Sequence, residues 1–300
     1  MNKKFTNAAL LLILLILPSS IFAQQVTSGK RSSQTRSTAN FNFINLKISG
    51  MLYVSQADQF SLVIEAPAEI IDKITTEVAE NTLVIESSNR YTVGVAPTIK
   101  IYVTMPRPNG LEVNGSGSIV AQTDFTTNFL SASVAGSGRI KLMDVAAGKL
   151  SIRLDGSGQI SQTKTTAESA MIEIHGSGSF QGDNFTCRLL SASLDGSGDI
   201  QLTGIAAGKL WMQNSGSGSI RHVSGMATEV LLENTGSGSI DADALNGGTI
   251  SASNAGSGDI EVGISETLNA QLSGSGSIHY HGTPKTMRKD VSGSGRVSQN

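Results

Sequence analysis

A Gly-Ser-Gly triplet occurs ten times in the chain, beginning at Gly115, Gly136, Gly156, Gly176, Gly196, Gly216, Gly236, Gly256, Gly274 and Gly293. The first step between copies is 21, the next six are 20, and the last two are 18 and 19. A period near 20 sustained this long marks a solenoid, in which each repeat buries its apolar face only against its neighbours.

Aligned columns show what each repeat is made of. Two residues past each triplet stand Ile119, Ile140, Ile160, Phe180, Ile200, Ile220, Ile240, Ile260, Ile278 and Val297, all large and apolar. Six residues before the triplets, from the second copy on, stand Leu130, Leu150, Ala170, Leu190, Leu210, Val230, Ile250, Leu268 and Met287. Three residues before them every position is polar, from Ser133 and Arg153 to Gln271 and Asp290. Alternation of period two means strands with one face inward. A strand, a tight corner and a second strand in every repeat predict one coil of a parallel β-helix. Ten coils at about 4.8 Å each make a rod roughly 48 Å long.

The triplets are then corners. Their first glycines, and the closing ones at Gly117, Gly138, Gly158, Gly178, Gly198, Gly218, Gly238, Gly258, Gly276 and Gly295, sit where positive φ or close backbone approach excludes a Cβ. The serines between them could stack as a hydroxyl ladder. Phosphate binding would need one such loop feeding a helix N-terminus, and no helical pattern follows any copy. A second ladder is expected two residues before the triplets. There the inward column reads Val113, Val134, Leu154, Ile174 and Leu194, then Asn214, Asn234 and Asn254, then Leu272 and Val291. Buried amides are costly unless bonded. Stacked on adjacent coils, each could donate to the next.

Upstream of the repeat the texture differs. "MNKK", "AALLLILLIL" and "PSSIFAQQ" read as a signal peptide over residues 1–23, its apolar run being shorter than the roughly 20 residues of a membrane-spanning helix. No later stretch is apolar enough to span. Residues 24–40 are Ser/Thr-rich with Lys30, Arg31 and Arg36, and are expected to be a flexible lead-in. Residues 41–110 hold irregular strands, with "APAEIIDKITTEV" as the one helical or bent segment. Residues 41–300 thus form a single β-helix domain. Loss of Lys3 and Lys4 with the leader takes the formal net charge from −2 to about −4, which disfavours nucleic acid as a partner. Cys187 is the only cysteine, so no disulfide holds the domain, and a buried thiol is expected.

Three features carry a resemblance. They are "FINLKISGMLYVSQ", "TIKIYVTMP" and the ten corners in which Gly-Ser-Gly leads through Ser, Arg, Gln or Asp to Ile, Phe or Val. Over about 41–300 the sequence resembles the head GIN domain putative adhesins of exported bacterial proteins. The resemblance implies a right-handed β-helix, related in shape to pectate lyases but without their catalytic residues, and an oligomer of identical chains as one possible state.

Candidate chemistry is sparse. Just before the triplets Asp155, His175 and Asp195 fall on consecutive coils, facing outward by parity. Two carboxylates flanking an imidazole could bind a metal, hold a charged histidine or act on a polysaccharide; the alternative is a solvated charge cluster. Arg153 and Glu173 form a similar cross-coil pair. His279 and His281 could share a strand face as half a metal site, but no third ligand is evident in the sequence. Calcium loading is not expected. Only Asp199 and Asp259 directly follow a triplet, where Ser118, Arg139, Gln159 and Arg296 stand elsewhere. Five residues before the triplets the outward column reads Ser131, Ser151, Met171, Ser191, Trp211, Leu231 and Ser251. It places the only tryptophan beside a leucine on a rigid wall, unless the 221–229 segment covers them.

The sequence therefore points to an exported, non-catalytic β-helix without cofactor. It would serve as an adhesion or interaction module of the cell envelope, meeting an extracellular glycan or protein surface. A polysaccharide-active enzyme and a ligand-free structural envelope protein are the competing readings.

Overall fold

The computed structural model describes residues 30–87 and 99–300. The expected signal peptide lies outside the described residues. The chain forms a β-solenoid whose coils contribute to two facing sheets, one of 14 strands and one of 13. From Phe125 onward each coil gives a long strand to the 13-stranded sheet and a short one to the other. Phe125–Gly136, Arg139–Lys141, Asp144–Gly156 and Gln159–Gln162 set the pattern. All pairing in this region is parallel, and each residue lies beside its counterpart one repeat away. Leu130, Leu150 and Ala170 are one such row, and Ile200 stands directly next to Ile220.

Alternation explains the core. In Asp144–Gly156 the residues Leu150, Ile152 and Leu154 are buried, while Ser151, Arg153 and Asp155 face solvent. The row of Ile140, Ile160, Ile200, Ile220, Ile240, Ile260 and Ile278 is almost fully buried from the opposite sheet. Phe180 interrupts that row, and the volume is balanced locally. A Cβ on Gly182 would stand 2.6 Å from the Phe185 ring and 2.7 Å from the Phe180 ring.

The long strand is not one straight run. Its ladder omits one residue per coil, among them Asn128, Gly148, Glu168, Arg188 and Gly208. Burial changes parity across that break, with Val145 inward on one side and Leu150 inward on the other. An unpaired residue of this kind shifts side-chain alternation by one, as a bulge does. The chain thus faces the core three times per coil rather than the two expected.

The corners have two forms. At Gly115, Gly136, Gly156, Gly176 and Gly196 the first glycine has φ between +119° and +140°. From Gly216 on it does not, and close approach alone excludes a side chain. The Ser137, Ser157 and Ser177 N–H groups donate to the carbonyls of Gly115, Gly136 and Gly156 at 3.0, 2.9 and 2.8 Å. The expected serine ladder is therefore built by backbone. One triplet hydroxyl, that of Ser116, pairs instead with Ser49 of the first coil, at 2.6 Å.

Before the regular coils the chain doubles back. β1 (Arg31–Thr35) pairs antiparallel with β4 (Ser61–Pro67), so part of the expected lead-in belongs to the sheet. Arg36 holds it down, donating from Nη1 to the Ile74 carbonyl at 2.6 Å and from Nη2 to the Ile71 carbonyl at 3.1 Å. β2 (Phe43–Leu46) and β3 (Met51–Gln56) make a first coil. The short helix α1 (Ala68–Ile71) and β5 (Ile74–Ala79) follow β4. The chain then runs under that coil as β6 (Thr82–Ser87) and β7 (Lys100–Met105), and next above it as β8 (Gly110–Gly115) and β9 (Ser118–Ala121). The antiparallel strands β1, β4 and β5 close this end of the stack.

The shortest step of the repeat has a local cause. Ala242 pairs with Val262 and Thr249 with Thr267, so two residues are lost between Val262 and Thr267 while the strands keep register.

Candidate binding surface

The outward face of the 13-stranded sheet is a flat wall of aligned side chains. On it Trp211 and Leu231 are ladder neighbours, 42% and 36% exposed. The 221–229 segment does not cover them, because Ser224–Asn234 is itself the adjoining strand of the wall. The indole Nε1 donates to Glu233 Oε2 at 3.2 Å, which fixes the ring against the sheet. Beyond Leu231 a shallow groove of about 460 Å³ continues, lined by Glu233, Ser251, Ser253, Asn269, Gln271, Arg288 and Asp290. An aromatic platform beside amides, hydroxyls, two carboxylates and one guanidinium can hold a polar ligand in a fixed orientation. Met171 lies in the same column but is separated from Trp211 by Ser191 and is half-buried.

Asp155, His175 and Asp195 do stand on three successive strands in register. They do not act as one group. Arg153 grips Asp155 with Nε to Oδ2 at 2.8 Å and Nη2 to Oδ1 at 3.2 Å, and reaches Glu173 Oε2 from Nη1 at 3.3 Å. Its hydrogen bonds to Asp155 hold the guanidinium above its usual pKa. His175 Nδ1 lies 4.0 Å from Asp195 Oδ2. These groups are exposed, and surface ion pairs of this kind contribute about 0–1 kcal/mol.

The three asparagines are fully buried and adjacent. The expected amide ladder forms at one step only, from Asn234 Nδ2 to Asn254 Oδ1 at 3.3 Å. Each amide instead bonds its own corner. Nδ2 of Asn214, Asn234 and Asn254 donates to the carbonyls of Gly218, Gly238 and Gly258 at 2.9, 3.0 and 2.7 Å. The Gly216 and Gly256 N–H groups return bonds to Asn214 and Asn254 Oδ1 at 3.1 Å each. A carbonyl four residues ahead in the same turn is nearer than the next coil's amide, so each side chain bonds its own turn.

His279 Nδ1 lies 3.0 Å from Ser298 Oγ. His281, for which the sequence offers no third ligand, has Asp243 and Glu261 beside it. A second groove, of about 830 Å³, runs past Ala206, Gly208, Asn246 and Gly248, between Met226 and Ile264, which are 64% and 57% exposed. No helix among the described residues is long and apolar enough to cross a membrane.

The family described as "Putative auto-transporter adhesin, head GIN domain" matches over residues 40–204 and 190–284. The chain belongs to this family. Solved structures share the solenoid fold at low identity. A putative adhesin from Parabacteroides distasonis is 18% identical with a TM-score of 0.61, covering 91% of this chain and 98% of that one. A putative adhesin from Bacteroides fragilis is 20% identical with a TM-score of 0.52, covering 90% and 97%. A second P. distasonis protein, described as a putative lipid binding protein, is 20% identical with a TM-score of 0.57, covering 91% and 97%. No curated protein sequence matches this head GIN chain.

Proposed function

We propose that this protein is an exported, non-catalytic interaction module of the cell envelope, binding through the outward wall of its 13-stranded sheet. The observation that carries the reading is the pair Trp211 and Leu231, exposed side by side on a rigid surface and continuous with a groove of polar side chains. Membership of an adhesin family supports it. So does the state of the most enzyme-like cluster, in which Arg153 occupies both oxygens of Asp155. The partner is an extracellular glycan or protein surface. A wall of repeated side chains gains from several weak contacts made together, which suits adherence.

Binding of the full chain to immobilised glycans and matrix proteins tests this, with the Trp211→Ser, Leu231→Ser double variant alongside. Wild type retained on at least one surface, and retention cut at least tenfold in the variant, are the expected results. Equal retention of both proteins sinks the assignment of the wall. Light scattering on the same samples reads the alternative use of the patch, self-association: a dimer of wild type that becomes monomeric in the variant would make the partner a second copy.

A second reading rests on the groove between Met226 and Ile264, whose apolar flanks suit an acyl chain, as the name of the second P. distasonis neighbour suggests. Uptake of a fluorescent fatty acid that Met226→Ser abolishes, and the Trp211 variant does not, would favour it.

A further inference from the structure

Three consecutive coils meet where the repeat loses its regular length. The coil before the short one carries Asp243, just past the strand Ile240–Ala242; the coil after it carries His281, just past Ile278–Tyr280. Between them the short coil offers Gly263, which has no side chain, directly after Val262. Glu261 of that coil sits in the ladder between Asp241 and His279. Residues two coils apart are separated by roughly 9.6 Å of backbone on ordinary strand spacing. With no side chain interposed, that gap can be bridged. A carboxylate oxygen of Asp243, one of Glu261 and a ring nitrogen of His281 all lie within 4.8 Å of one another.

Nothing in the fold accounts for this convergence. Among the described residues no lysine or arginine pairs with any of the three, and none of their side chains holds a hydrogen bond, although Glu261 and His281 are half-buried. Two carboxylates brought together without a counter-charge repel unless a proton or a cation stands between them. The wall of the other sheet shows the contrast, because there Arg153 neutralises Asp155 and Glu173.

We propose that Asp243, Glu261 and His281 form a zinc site that ties three successive coils together. One imidazole and two carboxylates fill three positions of a tetrahedral ion and leave the fourth to water. The imidazole selects a first-row transition ion over calcium or magnesium, which take oxygen donors. Bonds of about 2.0–2.1 Å require the donor atoms to close to roughly 3.3–3.5 Å, a movement within the rotamer freedom of Glu261 and His281. The ion acts as a staple at the one corner shortened by two residues. It is independent of the Trp211 wall.

The test uses the full chain, stripped with chelator, desalted and titrated with zinc chloride alone in a calorimeter, followed by thermal unfolding with and without zinc. Wild type is expected to bind one equivalent and to melt at a higher temperature with zinc. His281→Gln and Glu261→Gln should each weaken binding at least tenfold and remove the melting shift. His279→Gln, two residues away and turned to Ser298, should keep both. The proposal is overturned if wild type takes up no zinc, or if His279→Gln loses as much affinity as His281→Gln, which would mark adventitious binding by surface histidines.

Discussion

At Gly156 a Cβ would stand 2.7 Å from the carbonyl oxygen of Gly136 one coil away, and at Gly238 it would fall well inside van der Waals contact with the Gly218 oxygen. At Gly115, the first corner, it would meet nothing within 4 Å. The same triplet therefore carries two penalties that can be separated. Gly115→Ala bears only the cost of a side chain at φ +127°, about 1–2 kcal/mol. Gly238→Ala must push two coils apart and should cost about 3 kcal/mol or more. Urea midpoints of the two variants read the difference; equal losses would refute close packing as the reason for glycine. Cys187 gives a second prediction. Burial pushes its thiol up to about 11 from 9.0, so the folded chain resists forming the thiolate. At pH 8 a thiol reagent should label the native protein about a hundredfold more slowly than the unfolded one. The sign for stability follows. The folded state holds the proton longer, so Cys187 takes nothing from stability below about pH 9 and lowers it progressively toward pH 11. Both kinds of residue were legible in the sequence, the glycines by recurrence and the cysteine as the only one in the chain. The cluster at Asp243 was not, because its members belong to three different coils and meet only after one of those coils is shortened.

Corners and strands are the scale at which sequence columns and physical contacts part company. A column of asparagine suggests contacts along the column, yet the amides mostly turn back onto their own Gly-Ser-Gly backbone. Asn254 alone serves the Gly256 N–H and the Gly258 and Ser277 carbonyls. Asn254→Leu fits the column by size, since Leu272 follows it, but leaves the Gly258 carbonyl without a partner and takes one of two bonds from the Gly256 N–H and the Ser277 carbonyl. A loss of about 2–3 kcal/mol is expected from urea unfolding, and a neutral result would mean that the amide does not hold the corner. The strand positions themselves were readable wherever alternation was unbroken, as from Leu130 to Val134. Two things escaped that reading. The break at Asn128 and Gly148 changes which parity faces inward without leaving a residue type that marks it. β1 is polar throughout, and joins the sheet because Arg36 and backbone pairing, not apolar burial, attach it.

Across the whole molecule each coil touches the one before and the one after, so stability is a chain of neighbour terms rather than a single sum. Ile200 and Ile278 occupy the same column and are equally buried, one in the middle of the stack and one in its last coils. Replacing either with alanine removes the same atoms, at about 2–5 kcal/mol. Hydrogen exchange should nevertheless distinguish them. Ile278→Ala is expected to speed exchange in the strands after Ile260 and leave the middle protected, whereas Ile200→Ala should weaken coils on both sides. Identical exchange maps would mean that the stack unfolds as one unit. The general plan, repeat length, parallel stacking and aliphatic core, was legible because one geometric rule is written ten times. The first coils were not, since β6 and β7 pass beneath β2 and β3 once only and leave no recurrence to read. That strands stay aligned although one coil is two residues shorter than those before it shows where tolerance lies. Twenty codons copied in tandem would raise the tower by one storey with every floor plan intact, so height is a dimension that such a gene can change in a single event.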